Sequence, residues 1–131
     1  MSDNAKYLNE WLQQAEYDLA TAKAMLDAGR NIYCVFMCHL SLEKALKAAY
    51  LKKIDKVPPK IHSLIYLAQS SEVSLAKDHK DFIESLDEVS VPARYPTELD
   101  SALKDYDKNR TEGIFNKSRE ILEWLKLELK K

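Results

Sequence analysis

Glycine and proline are scarce in this chain of 131 residues, which has only two glycines and four prolines. Both residues disfavour helix interiors, since glycine loses much backbone freedom and proline lacks an amide proton. Long hydrophobic runs are also missing: no stretch approaches the roughly 20 apolar residues that cross a bilayer. The first residues lack the charged and apolar regions of a secretory signal. We therefore expect a helix-rich cytoplasmic protein with no membrane segment.

The chain also has only two cysteines and almost no net charge. Cys34 and Cys38 lie one helical turn apart, so we expect two reduced thiols and no disulfide framework. The 20 basic and 21 acidic residues leave a net charge of -1, which excludes a globally basic nucleic-acid binder but allows a local basic patch. Cys38 and His39 diverge by about 100° around a helix, and no other pair has zinc spacing. We expect no metal site and, without a glycine-rich phosphate loop, no bound cofactor.

Apolar residues recur every three or four positions, which is typical of α-helices. The length fits one domain. We therefore predict an all-α protein, with residues 1–131 forming a single up-and-down helical bundle of about four to five helices.

The predicted helix boundaries follow glycine, proline and capping residues. The short Gly29-Arg30 connection favours an antiparallel pair of the first two helices. A polar stretch at 97–109 suggests either a short helical turn or a partner-facing strip, with Leu103 and Tyr106 exposed. The helices are predicted at about 4–28, 31–54, 61–70 and 75–89 and from Thr111 to the end, with a proline-containing linker at 55–60 and a loop at 90–96.

The central helix, 31–54, has an apolar arc covering more than half of its circumference, so we expect neighbours on several sides. His39 and Glu43 lie inside this arc and are four residues apart, which lets their side chains meet. They form either a histidine oriented by a carboxylate or a buried polar pair that fixes packing, with Lys47 neutralising Glu43. We favour the structural alternative on sequence alone.

Two further candidates lie outside that helix. His62 follows a Pro-Pro linker and is either a phosphate ligand or a capping residue at a helix start. Arg94 and Tyr95 lie between two prolines, where the guanidinium would bind a phosphate or pair with a carboxylate such as Glu43. His79, in a run of charged residues, is expected to be solvated.

Four motifs in order resemble those of the HEPN family of small bacterial and archaeal helical proteins, specifically its branch with an Arg-Tyr-Pro motif. The motifs are the first-helix pattern Trp11-x3-Ala15-x2-Asp18-Leu19-x2-Ala22, Glu43-Lys44-Ala45-Leu46-Lys47-Ala48, Pro58-Pro59-Lys60-Ile61-His62-Ser63-Leu64 and Ala93-Arg94-Tyr95-Pro96. The resemblance covers nearly the whole chain.

The resemblance implies a homodimer that partners a minimal nucleotidyltransferase, often as toxin and antitoxin, or an accessory role in nucleotide or RNA binding. It also implies a polar cluster of Glu43, Lys47, His62, Arg94 and Tyr95, to which the central-helix pattern adds His39. Many relatives are metal-independent RNases with an Arg-x4-6-His motif, but no arginine here is followed by a histidine at that spacing.

Three hypotheses about function follow. The leading one is a HEPN-type protein that binds a nucleotide or RNA phosphate group and a nucleotidyltransferase partner. The second is an RNase in which Arg94 stabilises phosphate and His39 or His62 transfers protons. The third is a non-catalytic dimeric interaction module. Whether the protein is an enzyme stays open, and no catalytic residue is assigned.

Overall fold

A computed structural model describes residues 2–89 and 99–131, which contain six α-helices and no strand. This confirms the predicted all-α bundle, and the stretch left open as a turn or strip contains a short helix. The predicted loop at 90–96 lies outside the described residues. The helices are α1 (Ser2–Asp27), α2 (Asn31–Ile54), α3 (Leu64–Ser70), α4 (Lys77–Val89), α5 (Leu99–Asp105) and α6 (Lys108–Leu129).

A tight glycine turn makes α1 and α2 an antiparallel pair. Gly29 has a φ of +75°, the left-handed conformation that glycine adopts without a steric penalty. The Arg30 amide donates to the Met25 carbonyl at 2.7 Å, which closes the end of α1. Further along, the buried Ser41 hydroxyl donates to the Ala15 carbonyl at 2.7 Å. The two helices therefore pack closely along their length.

The central position predicted for the second helix is confirmed. Fourteen of the 24 residues of α2 are buried, and the helix contacts α1, α3, α4, α5 and α6. Most of its buried residues are apolar, but Ser41, His39, Glu43 and Lys47 are among them. Burying charged groups is costly unless they are paired, so the last three residues require partners inside the bundle.

The linker after α2 begins with a left-handed residue. Asp55 has a φ of +61° and its amide donates to the Leu51 carbonyl, ending the helix. Its carboxylate accepts a hydrogen bond from the Asn4 side chain at the start of α1. Pro58 and Pro59 then prevent helix continuation, as predicted, and α3 begins only at Leu64, later than expected.

The last helix begins three residues before the predicted start. Asp107 is its N-cap, and its carboxylate accepts a hydrogen bond from the Arg110 amide at 2.8 Å. Thr111 is fully buried inside the first turn, where its hydroxyl donates to the Asp107 carbonyl. Tyr106 is also buried, contrary to the expectation of exposure, whereas Leu103 is 56% exposed. The helix therefore begins earlier than predicted because Asp107, four positions before Thr111, is a favourable capping residue.

A small apolar cluster lies beside the main core. Ala48, Ala49 and Leu129 are its buried members, and Trp11 packs against them while remaining half-buried. Trp11 is therefore an anchor at the edge of the core. Among the described helices, none has both the length and the apolar character that spanning a bilayer requires.

Candidate functional site

Glu43 is the centre of a polar cluster between α2 and the linker that precedes α3. Its side chain is only 5% exposed, and its Oε2 atom lies 3.2 Å from the Lys47 ammonium. The Nδ1 atom of His62 lies 3.1 Å from both carboxylate oxygens. The predicted neutralisation of Glu43 by Lys47 is thus observed, and the carboxylate orients a histidine from another segment.

The three members of the cluster differ in their access to solvent. The Lys47 side chain is 9% exposed, whereas that of His62 is 67% exposed. The Lys47 ammonium also lies 5.6 Å from the ring centroid of Trp11, a distance compatible with a cation–π contact. A ligand from solvent therefore meets the imidazole of His62 first, above a buried carboxylate–ammonium pair.

His39 pairs with a carboxylate, but that carboxylate is Asp87 of α4. The His39 Nε2 atom lies 2.9 Å from Asp87 Oδ1, and the His39 side chain is 4% exposed. The sequence predicted that His39 and Glu43 would contact each other. Instead, His39 pairs with Asp87 of α4, and Glu43 pairs with His62 of the linker. His39 is too buried to be a first contact for a ligand.

Asp87 joins α4 to the beginning of α3. Besides its contact with His39, it accepts hydrogen bonds from the backbone amides of Leu64 at 2.9 Å and Ile65 at 3.0 Å. The Ser63 hydroxyl donates to it at 3.3 Å. Burial alone would raise the pKa of Asp87, but the hydrogen bonds from His39 and the two amides outweigh burial and lower it. Asp87 thereby fixes α3 next to His62.

Asp87 could not be identified from the sequence, because it occupies an ordinary polar position in an amphipathic helix. Its role arises only when α4 packs beside the start of α3. The predicted site residues Arg94 and Tyr95 lie outside the described residues.

His79 contradicts the expectation that it is solvated. It is 7% exposed, and its Nε2 atom lies 2.8 Å from Glu120 Oε2 on α6. The ring also meets Trp124 edge to face, with 5.9 Å between the centroids. A signal was present in the sequence, since His79 precedes the buried Ile83 by four residues and therefore shares its helix face.

The surroundings of His79 are the one arrangement in the described part of the chain with three convergent potential metal ligands. Ligand atoms of Asp78, His79 and Glu120 lie within 4.8 Å of one another. The Lys117 ammonium already lies 2.7 Å from Asp78 and 3.0 Å from Glu120. This lysine compensates the two carboxylates, so the arrangement is a polar link between α4 and α6, although the buried Nδ1 atom of His79 has no hydrogen-bond partner among the described residues.

The two thiols lie in the core. Cys34 and Cys38 are both free and fully buried. Their mutual hydrogen bond lowers the pKa of Cys34, and the same bond together with burial raises that of Cys38 well above its usual value. The expectation of reduced thiols agrees with this arrangement, and burial leaves them no access to a substrate.

Comparison with solved structures identifies two similar bundles. The protein TT1696 from Thermus thermophilus is 25% identical, with 91% of this chain and 95% of that chain covered and a TM-score of 0.77. A second structure, described as an archaeal HEPN homologue, is 23% identical, with 93% and 97% covered and a TM-score of 0.74. At 23% identity, the similarity to the archaeal structure shows a shared fold and nothing further.

A comparison with curated proteins gives no match. The family model named HEPN domain matches residues 8–129, which includes α6, most of α1 and the cluster around Glu43. The chain therefore belongs to the HEPN domain family.

Proposed function

We propose that this protein binds a phosphate group of a nucleotide or RNA at His62 and works with a minimal nucleotidyltransferase partner. One observation carries the proposal: an imidazole that is 67% exposed has its Nδ1 atom 3.1 Å from a carboxylate that is 5% exposed. The buried carboxylate accepts a hydrogen bond at Nδ1 and so fixes the orientation of the ring. When the imidazole is protonated, both of its nitrogens are donors, so the nitrogen that does not contact Glu43 can donate to a phosphate oxygen.

The remaining predicted residues have supporting roles in this proposal. Glu43 orients His62, and Lys47 compensates the charge of Glu43 inside the bundle. His39 acts at a distance through Asp87, which also binds the two amides that follow Ser63. Arg94 and Tyr95 are proposed to complete the phosphate contacts. The ligand-binding set is thus His39, Glu43, Lys47, His62, Arg94 and Tyr95, of which His62 is the most accessible described member.

Thermal unfolding with ATP, other nucleotides and a short RNA tests this binding, because a ligand of the folded state raises the midpoint by mass action. We expect a shift in the wild-type protein that is lost in His62→Ala and Arg94→Ala. Gln69→Ala is the matched control, since Gln69 is an exposed polar residue on the adjoining helix α3. Equal shifts in wild-type and His62→Ala proteins would remove His62 from the site, and no shift with any ligand would reject phosphate binding.

The partner and the assembly need separate measurements. We propose a homodimer that forms a complex with the nucleotidyltransferase, as toxin or antitoxin, in the cytoplasm. Light scattering after size exclusion measures the mass of the purified protein, and co-purification with the co-expressed nucleotidyltransferase measures the complex. A monomer that passes through a column of immobilised nucleotidyltransferase would contradict both parts.

The same geometry favours metal-independent RNA cleavage as a second candidate, because a carboxylate-oriented histidine is suited to proton transfer. The Arg-x4-6-His motif of many relatives is absent, so His62 would act in a different arrangement. Incubating the protein with a mixed RNA pool in the presence of EDTA tests this activity. Cleavage that His62→Ala abolishes would support an RNase, and intact RNA would reject it.

A further inference from the structure

A groove of about 410 Å³ lies between α4 and α6, on elements separate from the cluster around Glu43. Its apolar lining comes from Phe82, Leu86 and Ile114. Phe82 and Ile114 are only half-buried, although both pack against the main core. Gly113 lies in the wall, where an added Cβ atom would meet nothing within 4 Å. The bundle therefore leaves room for apolar groups at this surface.

The charged residues that line this groove are both cations, Arg110 and Lys117. The two are unequal, because Lys117 is already paired with Asp78 and Glu120. Arg110 makes no ion pair with the described carboxylates. It stacks on Tyr106 at 4.4 Å and donates one N–H to the Asp105 carbonyl. A guanidinium has five N–H donors, so Arg110 is oriented and retains donors for an anion.

The shape of the groove favours a polypeptide over a small molecule. Pockets for small ligands bury most of the ligand surface. This groove would enclose a ligand on one side only, because Phe82, Ile114 and Arg110 remain partly exposed between the two helices. A segment of polypeptide needs just one covered face, because it inserts side chains into the groove while its backbone stays outside.

We propose that the α4–α6 groove docks a short segment of a partner protein, with a bulky apolar side chain against Phe82, Leu86 and Ile114 and a carboxylate on Arg110. The apolar side chain supplies burial, and the carboxylate matches the planar donor fork of the arginine. This surface is independent of the phosphate site proposed above, so either can fail without the other.

A display library of random short peptides, selected on the immobilised full chain, identifies what the groove accepts. Enriched peptides are expected to share a bulky apolar residue next to Asp or Glu and to displace the fluorescent probe ANS, which combines apolar rings with a sulfonate. A library without enriched binders would overturn the proposal. ANS binding that no selected peptide displaces would assign the groove to small anions and would also overturn it.

Two substitutions locate the binding. Gly113→Leu fills the groove, has space for its Cβ atom and replaces glycine with a good helix former. Arg110→Glu reverses the charge at the anchor. Each substitution is expected to lower the affinity for the selected peptides by about tenfold or more, as does the removal of an interface hot spot.

Arg119→Glu is the matched control. Like Arg110, Arg119 lies on α6 and stacks on an aromatic ring, that of Phe115, but it does not line this groove. It is expected to change peptide affinity less than about twofold. Unfolding curves check that all three variants are folded. Peptides that bind Gly113→Leu as tightly as the wild-type protein, or that lose as much affinity with Arg119→Glu as with Arg110→Glu, would overturn the proposal.

Discussion

His62 and Glu43 form a pair in which the exposed partner is held by the buried one. The Nδ1 atom of His62 lies 3.1 Å from both oxygens of Glu43, and the two side chains are 67% and 5% exposed. The Oε2 atom of Glu43 also lies 3.2 Å from the buried Lys47 ammonium. Glu43 therefore links the stability of the bundle to the orientation of the accessible histidine.

Glu43→Gln is expected to destabilise the protein by roughly 3 kcal/mol, because it leaves the buried Lys47 ammonium without its counter-charge. Denaturant unfolding monitored by circular dichroism measures the change. The matched control is Asp81→Asn, which breaks the exposed Lys77–Asp81 pair at the same i,i+4 spacing and is expected to cost far less stability, because water screens an exposed pair.

The double substitution Glu43→Gln with Lys47→Met tests the cause. It should recover part of the lost stability, since the charge that Glu43 compensated is then absent. A Glu43→Gln variant as stable as Asp81→Asn would show that the buried pair contributes nothing.

Protonation of Asp87 is expected to weaken the fold at acid pH. The hydrogen bonds lower its pKa in the folded state, so its stabilising contribution is complete above the unfolded value of about 3.9 and is lost as pH falls through the folded value. Asp87→Asn should cost about 1–3 kcal/mol at pH 7, and its difference from wild type should shrink at pH 3. Urea unfolding at several pH values measures this.

The neighbouring substitution Glu88→Gln is the control for Asp87→Asn, because Glu88 is exposed. It should change stability by less than about 0.5 kcal/mol at neutral pH. A stability difference between wild type and Asp87→Asn that stays constant from pH 7 to pH 3 would contradict the assigned role.

The two glycines are expected to respond to alanine with opposite signs. Gly113 is inside α6 with open space around its Cβ position, so Gly113→Ala should stabilise the protein by about 0.5–1 kcal/mol. Gly29 has a φ of +75°, and Gly29→Ala should destabilise it by about 1 kcal/mol. Thermal unfolding of both variants measures the signs, and a shift in the same direction would contradict this account.

Cys34 and Cys38 are expected to resist thiol reagents in the folded protein, since both are fully buried. Hydrogen bonding and burial also raise the pKa of Cys38 and so disfavour its reactive thiolate. Reaction with Ellman's reagent should be at least about a thousandfold slower in buffer than in denaturant, because it requires opening of the core. Rapid labelling of the native chain would contradict the described core.

Helical periodicity was sufficient to predict the bundle, the central helix and the α1–α2 turn, because these depend on local patterns of apolar residues and on Gly29. The same patterns could not pair His39 with Asp87, since that contact joins residues 48 positions apart. His79 was predicted to be solvated from its charged neighbours, although its spacing from Ile83 places it on the buried face. Local composition was the weaker guide there, and helix period the stronger one.

The burial of α2 on several sides has a consequence for how the length of this protein can vary. One inserted residue rotates everything beyond it by about 100° around the helix. An insertion before Leu42 would therefore turn the later core residues away from their neighbours and carry Glu43 away from His62. The linker at 55–60 has no such register to preserve. Among proteins of this fold, gains and losses of residues should accumulate in the connections and avoid the central helix.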